Sequence, residues 1–295
     1  MSFLPVGRFA PSPTGPLHRG SLFIAVASYL DARARGGRWL LRIEDLDTQR
    51  CRPHYQDLIL QTLQRYALNW DGEVWRQSAR REVYAEFLQR LHLHPGLYAC
   101  RCSRLHLRGQ ERYPGTCRHR GLDGAEHALR VCVDARRIDF DDRLHGAQSD
   151  QPATQCGDFV VWRREQGAAY QLAVVVDDAL QGITDVVRGA DLLESTGWQI
   201  ALQEALRLAR PRYGHLPLLT EPGGAKLAKR HHAVPLDAHR ASAELLAVLR
   251  LLGQAPPAEL DGAAPSVVLA WASAHWRPAA FHGRREIALA RRTGS

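Results

Sequence analysis

The sequence predicts an α/β fold on an open sheet, and three stretches carry that prediction. The first is a short apolar run, Phe3–Phe9, then a proline-broken turn (Pro11, Pro13, Gly15, Pro16) and an amphipathic stretch from Gly20 to Arg35. Leu22, Val26, Tyr29 and Leu30 fall there at helical spacing, and Gly36–Gly37 ends the period. The second is Arg38–Ile43 (RWLLRI), a buried-strand pattern that closes on Glu44-Asp45-Leu46-Asp47. The third is a pair of apolar runs, Phe159–Trp162 and Tyr170–Val176, both suited to central strands. Strand, tight turn and helix in succession form an anion site: free backbone N–H groups and the positive end of the helix dipole face the turn, and glycine lets a phosphate approach.

The other elements follow in order. Pro53 opens a helix with Tyr55, Leu58, Ile59, Thr62, Leu63 and Tyr66 on one face, and Ser78 is placed to cap another carrying Tyr84, Phe87, Leu88 and Leu91. Between Tyr98 and about Cys156 the long helical periods vanish, leaving Arg, His, Gly and short strand-like runs at Leu129–Val133 and Arg137–Phe140. That stretch reads as an insertion. Glu194–Ala209 then reads as a helix, Leu216–Leu219 as a last strand, and the chain from Leu236 as helical, including Ala241–Leu252 and Val267–Trp276. The expected organisation is a catalytic domain in two halves, 1–97 and 157–235, around an insertion at 98–156, with a helical extension at 236–295.

Composition narrows the class. At 295 residues, 45% apolar and 24% charged, the chain can bury a sizeable core. No stretch approaches the roughly twenty uncharged apolar residues of a membrane helix, and the N-terminus lacks a basic-then-apolar signal, so a cytosolic protein is expected. A net charge of +8 favours a polyanionic partner, because Lys and Arg displace counterions from phosphates. Of the six cysteines, Cys51, Cys100, Cys102 and Cys132 show no framework of spaced pairs, which fits a reduced compartment.

The string RFAPSPTGPLHRG, Arg8–Gly20, closely resembles the signature of glutamyl-type class I aminoacyl-tRNA synthetases, whose "HIGH" element is here His18-Arg19-Gly20-Ser21. Its second and fourth positions depart from the family letters; its first and third match. The resemblance implies a Rossmann-like class I synthetase catalytic domain in which His18 and Gly20 serve the phosphates of ATP. RIEDLD resembles the family's R-I-E-D-T-D, with Leu46 in place of Thr, and gives Glu44 the substrate's α-ammonium. An isolated Glu there would ordinarily be a solvated loop carboxylate, but an amino-acid ammonium needs a buried anion to replace its water. Arg8 and Arg188 become candidate carboxylate clamps, since a guanidinium fork matches a carboxylate better than an ammonium does. Arg188 lies in Gly182–Asp191, which resembles the family's second substrate segment. Tyr170 matches a tyrosine lining the same pocket, and Ser12 joins the glutamate set. Lys226–Arg230 (KLAKR), after Pro222-Gly223-Gly224, resembles the "KMSKS" loop, so Lys226 and Lys229 are expected to clamp ATP-Mg as charge builds on pyrophosphate. Ala228 stands where the family has Ser.

Cys100-Arg101-Cys102 and Cys117 form a metal candidate, because zinc favours thiolates in a tetrahedral shell. As a bare pattern C-x-C is weak, and His106, Tyr113 and His119 are all nearby donors. C-x-C followed by Y-x₃-C resembles the zinc element of one truncated subgroup of the family, which glutamylates queuosine in the anticodon of tRNA(Asp). On that resemblance the ligands are Cys100, Cys102, Tyr113 and Cys117, with His119 in reserve, and the zinc is structural. Only about 65 residues follow Arg230, too few for an anticodon-reading helical module.

The subgroup's chemistry is a two-step reaction: glutamate and ATP-Mg give glutamyl-adenylate without tRNA, and the glutamyl group passes to queuosine of tRNA(Asp). A monomer is expected. Three other readings stay open. One is a shortened glutamyl-tRNA synthetase charging the tRNA 3′ end. Another is a non-catalytic zinc-containing RNA-binding module, to which Arg19, Ser21 and Ala228 would fit. The third, a nucleotidyltransferase without a glutamate pocket, is opposed by Arg8, Glu44, Tyr170 and Arg188.

Overall fold

The computed structural model describes residues 4–278 apart from 104, 111 and 221–234, together with 281 and 284–289. In chain order the first half contains β1 (Val6–Phe9), α1 (Arg19–Arg33), β2 (Arg38–Ile43), α2 (Pro53–Arg65), β3 (Trp75–Arg76), α3 (Arg81–Leu91), β4 (Leu97–Cys100), β5 (Ala128–Val131), β6 (Ile138–Asp142) and β7 (Gly146–Asp150). The second half contains α4 (Pro152–Gln155), β8 (Phe159–Arg163), β9 (Gly167–Ala168), α5 (Tyr170–Leu180), β10 (Asp185–Gly189), α6 (Thr196–Leu206), β11 (Arg212–Leu216), β12 (Leu218–Thr220), α7 (Ala241–Leu251), α8 (Pro265–His275) and β13 (Glu286–Ala288).

The continuous apolar runs become parallel strands buried on both faces, as runs without alternation should. β1, β2 and β3 pair in parallel in that order, with Arg8 opposite Leu40. β10 lies along the other side of β1: Thr184 donates its N–H to the Val6 carbonyl at 2.9 Å, and Val6 donates to Thr184 Oγ1 at 2.9 Å. β10 pairs with β11 in parallel, and β11 with the β6–β7 hairpin. The chain thus crosses from one half of the sheet to the other between β1 and β10, the kind of switch point at which open α/β sheets leave a crevice for ligands. A second sheet, β4-β5-β8-β9, is antiparallel. The strands between Tyr98 and Cys156 therefore pair outward, with β8 on one side and β11 on the other.

α1 differs from its amphipathic reading. Leu22, Phe23, Ala25, Val26, Ala27 and Leu30 are all buried, so nearly its whole circumference is covered. The sheet covers one side, and α7 and α8 cover the other through Leu245, Leu246, Val268 and Leu269 in one continuous core. At roughly 1.5–3 kcal/mol per buried Leu, Val or Phe side chain, that second layer contributes much of what holds α1 against the sheet. Gly36 takes φ +68° after the helix, and a Cβ at Gly37 would lie 2.2 Å from the Pro5 carbonyl, so the Gly-Gly turn is required to bring β2 alongside β1.

Several elements correct the sequence reading. Tyr170–Val176 is not a strand but the start of α5, in which eight residues from Gln171 to Asp178 are buried. A helix buried on nearly every side loses its polar stripe, and a β-branched run such as Val174–Val176 then mimics a strand. Phe159–Trp162 is a strand, but in the antiparallel sheet and not the central one. Ser78 caps no α-helix: α3 starts at Arg81 after a 3₁₀ turn, and the Ser78 hydroxyl and N–H both donate to Asp45, at 2.6 and 2.8 Å. The helix placed at Glu194–Ala209 is a 3₁₀ turn, Ala190–Ser195, followed by α6. Pro217 splits the Leu216–Leu219 strand between β11 and β12.

Candidate active site

The C-terminal ends of β1, β2 and β10 deliver three charged groups to one place. Arg8, on β1 and almost fully buried, donates from Nε and Nη2 to the two carboxylate oxygens of Asp178 at 3.2 and 3.4 Å, and from Nη1 to the Val187 carbonyl at 3.4 Å. Glu44 follows β2 directly; its side chain is 9% exposed and lies 3.4 Å from Arg42 Nη2. Burial raises its pKa above the ordinary carboxylate range, against the opposing pull of Arg42 and Arg8. Arg188, on β10 next to Val187, is held by Gln199 Oε1 at 2.6 Å, Thr196 Oγ1 at 2.9 Å and His215 Nε2 at 2.9 Å. Tyr170, at the start of α5, feels all three: burial and then Glu44 push its phenol up to about 12, while Arg188 and Arg8 pull the other way. Arg8, Glu44 and Arg188 thus stand at adjoining strand ends, and the charges of all three act on Tyr170. Each guanidinium has five N–H donors; counting the bonds above, with Arg188 Nη2 also 3.4 Å from the Leu192 carbonyl, Arg8 keeps two and Arg188 one uncommitted among the described residues. Such a site suits a small zwitterion carrying an extra carboxylate. Ser12 is exposed, in the turn whose Pro11 carbonyl accepts from Glu44 N–H at 3.0 Å.

Beside this site is the N-terminus of α1. The turn amides are not free, as the sequence reading had them. His18 is the N-cap residue, and its Nδ1 accepts from the N–H groups of Gly20 and Ser21 at 3.1 and 3.3 Å, while Ser21 Oγ accepts from His18 N–H at 2.7 Å. A capping box thus uses the residue that departs from the family's fourth letter. Burial lowers the His18 pKa, so the ring is neutral at pH 7. With Nδ1 accepting, Nε2 carries the proton and is the donor left for a phosphate. A Cβ at Gly20 would lie 3.0 Å from the His18 ring, which explains glycine at that position. His18, Gly20, Gly189, Asp191 and Leu218 line a cavity of about 200 Å³. Lys226 and Lys229 lie outside the described residues; the flanking chain ends at Thr220 in β12 and resumes at Pro235, which bridges to His18.

Cys100, Cys102 and Cys117 place their Sγ atoms within 4.8 Å of one another. Cys102 Sγ is 3.6 Å from Cys117 Sγ, and the Tyr113 oxygen is 3.3 and 3.9 Å from the sulfurs of Cys100 and Cys102. Ligands about 2.3 Å from a tetrahedral zinc stand about 3.8 Å apart, close to these three separations. Burial opposes ionisation of Cys117, but hydrogen bonds from the Arg101 amide, Tyr113 and the other thiols lower it to about 7. Arg130 Nε lies 3.3 Å from Cys100 Sγ, and its guanidinium covers the Tyr113 ring at 3.9 Å, placing a cation against the thiols. His119 is exposed and outside the group.

Residues 6–259 match the family model described as tRNA synthetases class I (E and Q), catalytic domain. The chain belongs to that family. It is 52% identical over 272 residues to a glutamyl-Q tRNA(Asp) synthetase of Pseudomonas fluorescens, covering 92% of this chain and 91% of the relative, and 54% identical over 273 residues to one of Pseudomonas aeruginosa, covering 92% and 93%. Among solved structures it resembles the glutamate-tRNA synthetase of Elizabethkingia anophelis (29% identity, TM-score 0.69) and a glutamate tRNA ligase of Elizabethkingia meningosepticum in complex with its amino acid (27%, 0.68). It covers 77% and 80% of its own length in those matches, but spans only 52% of each solved chain.

In this class I synthetase domain the sequence missed the charges behind the pocket. Arg42 is fully buried, with Nη1 2.8 Å from Asp178 and Nε 3.8 Å from Asp177. Asp177 in turn accepts from Gln77, Arg80 and Tyr84. The available signal was Asp177-Asp178 inside an apolar run, since buried carboxylates are kept only when paired. A further cavity of about 340 Å³, lined by Tyr170, Gln171, Asp158, Tyr113 and Trp198, lies between the pocket wall and the cysteines. Among the described residues no helix is long and apolar enough to cross a membrane.

Proposed function

We propose that this chain activates glutamate with ATP-Mg in the absence of tRNA and transfers the glutamyl group to queuosine in the anticodon of tRNA(Asp). The observation that carries the reading is that buried Arg8 and Arg188 and largely enclosed Glu44 stand at adjoining strand ends, with half-buried Tyr170 in reach of their charges, beside the His18 turn, in a chain similar over nine-tenths of its length to synthetases of that name. Glu44 takes the α-ammonium and the two arginines take the carboxylates. One α-carboxylate oxygen attacks the α-phosphorus of ATP and pyrophosphate leaves. The His18 Nε2–H donates to phosphate, and Lys226 and Lys229 neutralise the charge that builds there. A ring hydroxyl of queuosine then attacks the mixed anhydride and AMP leaves, and the cavity against Tyr170 gives the acceptor room to approach. No protein nucleophile is needed; orientation and charge stabilisation suffice.

Cys100, Cys102, Tyr113 and Cys117 would hold a structural zinc, which fixes the loop and takes no part in the chemistry. The test is to charge queuosine-containing and queuosine-free tRNA(Asp) with labelled glutamate, with periodate treatment first. Label is expected only on the queuosine-containing RNA and should be lost when periodate has cleaved its diol. Equal label on both RNAs, placed at the 3′ end, would contradict the assignment and favour a shortened glutamyl-tRNA synthetase.

A further inference from the structure

We propose that His215 and Asp142 position Arg188 for the substrate carboxylate, with the two nitrogens of a neutral imidazole in opposite roles. The proposal rests on Arg188 being a carboxylate clamp. His215, on β11, is fully buried; its Nδ1 lies 2.6 Å from Asp142 Oδ2, and its Nε2 accepts from Arg188 Nε–H at 2.9 Å. A guanidinium only donates, so Nε2 must offer a lone pair, and Nδ1 must then carry the hydrogen given to Asp142. The carboxylate therefore fixes the tautomer, and the tautomer fixes Arg188.

The surrounding charges agree. Burial brings the imidazole down to about 4 against the opposing pull of Asp142, with Arg188 and His145 adding to the burial. Burial opposes the Asp142 charge, but the His215 ring and the amides of Leu144 and His215 hold its carboxyl below the usual range. An imidazole protonated at both nitrogens would confront Arg188 with a second donor and push it away. Thr196 and Gln199 hold the far end of the guanidinium, so His215 sets its Nε edge and hence the plane in which its remaining N–H points.

Two amide substitutions separate this role from mere core packing. In His215→Gln the carboxamide would reach the place of Nε2 and accept from Arg188. In His215→Asn the shorter side chain would reach only the place of Nδ1 and serve Asp142 alone. In tRNA-free, glutamate-dependent ATP–pyrophosphate exchange with the full chain, His215→Asn should raise KM for glutamate about 10-fold or more, with KM for ATP unchanged. His215→Gln should recover most of that loss. Equal effects of the two variants, or a lowered melting temperature with KM for glutamate unchanged, would overturn the proposal. Asp142→Asn serves if His215→Asn does not fold: it can donate to Nδ1, which turns the ring hydrogen toward Arg188, and the same selective rise is expected. An unchanged KM there overturns the proposal equally. Arg188→Ala is the control for the reading beneath. If it leaves KM for glutamate unchanged, the clamp assignment itself fails; if it abolishes glutamate use while His215→Asn does not alter KM, only the positioning role fails.

Discussion

The arginine pocket and the cysteine cluster are held together in opposite ways. The pocket is built on strand ends and one buried helix, and its charges satisfy one another: Arg8 and Arg42 share Asp178, and Arg42 also meets Glu44. Of the buried nitrogens and oxygens on Arg8, Arg42, Glu44, Tyr170, Asp178 and Arg188, only Arg42 Nε lacks a hydrogen-bond partner among the described residues. The cysteine cluster sits between β4 and β5, where the described residues of 101–127 form turns and no helix or strand. Its apolar support is slight: among the described residues, Cys100, Tyr113 and Cys117 are the only buried members of their own small core. A site made from charges in a rigid sheet is formed before its ligand arrives; thiols gathered at a strand end and in turns would take their rigidity from a bound ion.

Three experiments sharpen that contrast, taken from the largest effect down. Glu44→Gln keeps shape and removes the buried charge. Exchange with glutamate should fall by about 100-fold or more, the scale of truncating one partner of a buried charge pair. Because burial already disfavours ionised Glu44, the melting temperature should not fall with it. A large loss of stability alongside activity would mean that Glu44 holds the fold and not the ammonium. The pH dependence is next. If Glu44 takes the α-ammonium as proposed, glutamate needs it ionised, and its pKa is raised, so KM for glutamate should climb as pH falls, starting above the ordinary carboxylate range and rising about tenfold per pH unit below that pKa. A KM flat down to about pH 4, the ordinary carboxylate range, would remove Glu44 from the binding step. The smallest effect on chemistry should come from disabling the proposed zinc site. Chelation, or Cys117→Ser, should open residues 101–127 to proteolysis while exchange in the absence of tRNA stays within about threefold, because the pocket does not depend on that loop. Parallel loss of exchange and protease resistance would show the two regions to be one unit.

The same contrast explains what could be read from the sequence. β1, α1 and β2 were legible because each is a local pattern: an apolar run, a helical period and a glycine stop. The C-x-C and Y-x₃-C spacings were legible for the same reason, since all four side chains lie within 18 residues of sequence, Cys100 to Cys117. The charges behind the pocket were not. Arg8 meets Asp178 across 170 positions and Asp142 meets His215 across 73, and no short window contains both partners. α5 was misread because burial on all sides replaced its polar face with valines, leaving Asp177 and Asp178 as its only strong departure from a strand pattern. His18 was placed correctly at the turn, but only the geometry showed its imidazole capping the amides that the sequence had left free for phosphate.

The central claim is that this pocket accepts glutamate for adenylation, and the most direct measurement is exchange of labelled pyrophosphate into ATP with the full chain, magnesium and no tRNA, comparing glutamate with glutamine and aspartate. Exchange that requires glutamate and is lost in Arg188→Ala is the predicted result. Silence with glutamate, or equal exchange with glutamine, would contradict it, because a pocket with two arginines and one buried glutamate discriminates by the second carboxylate.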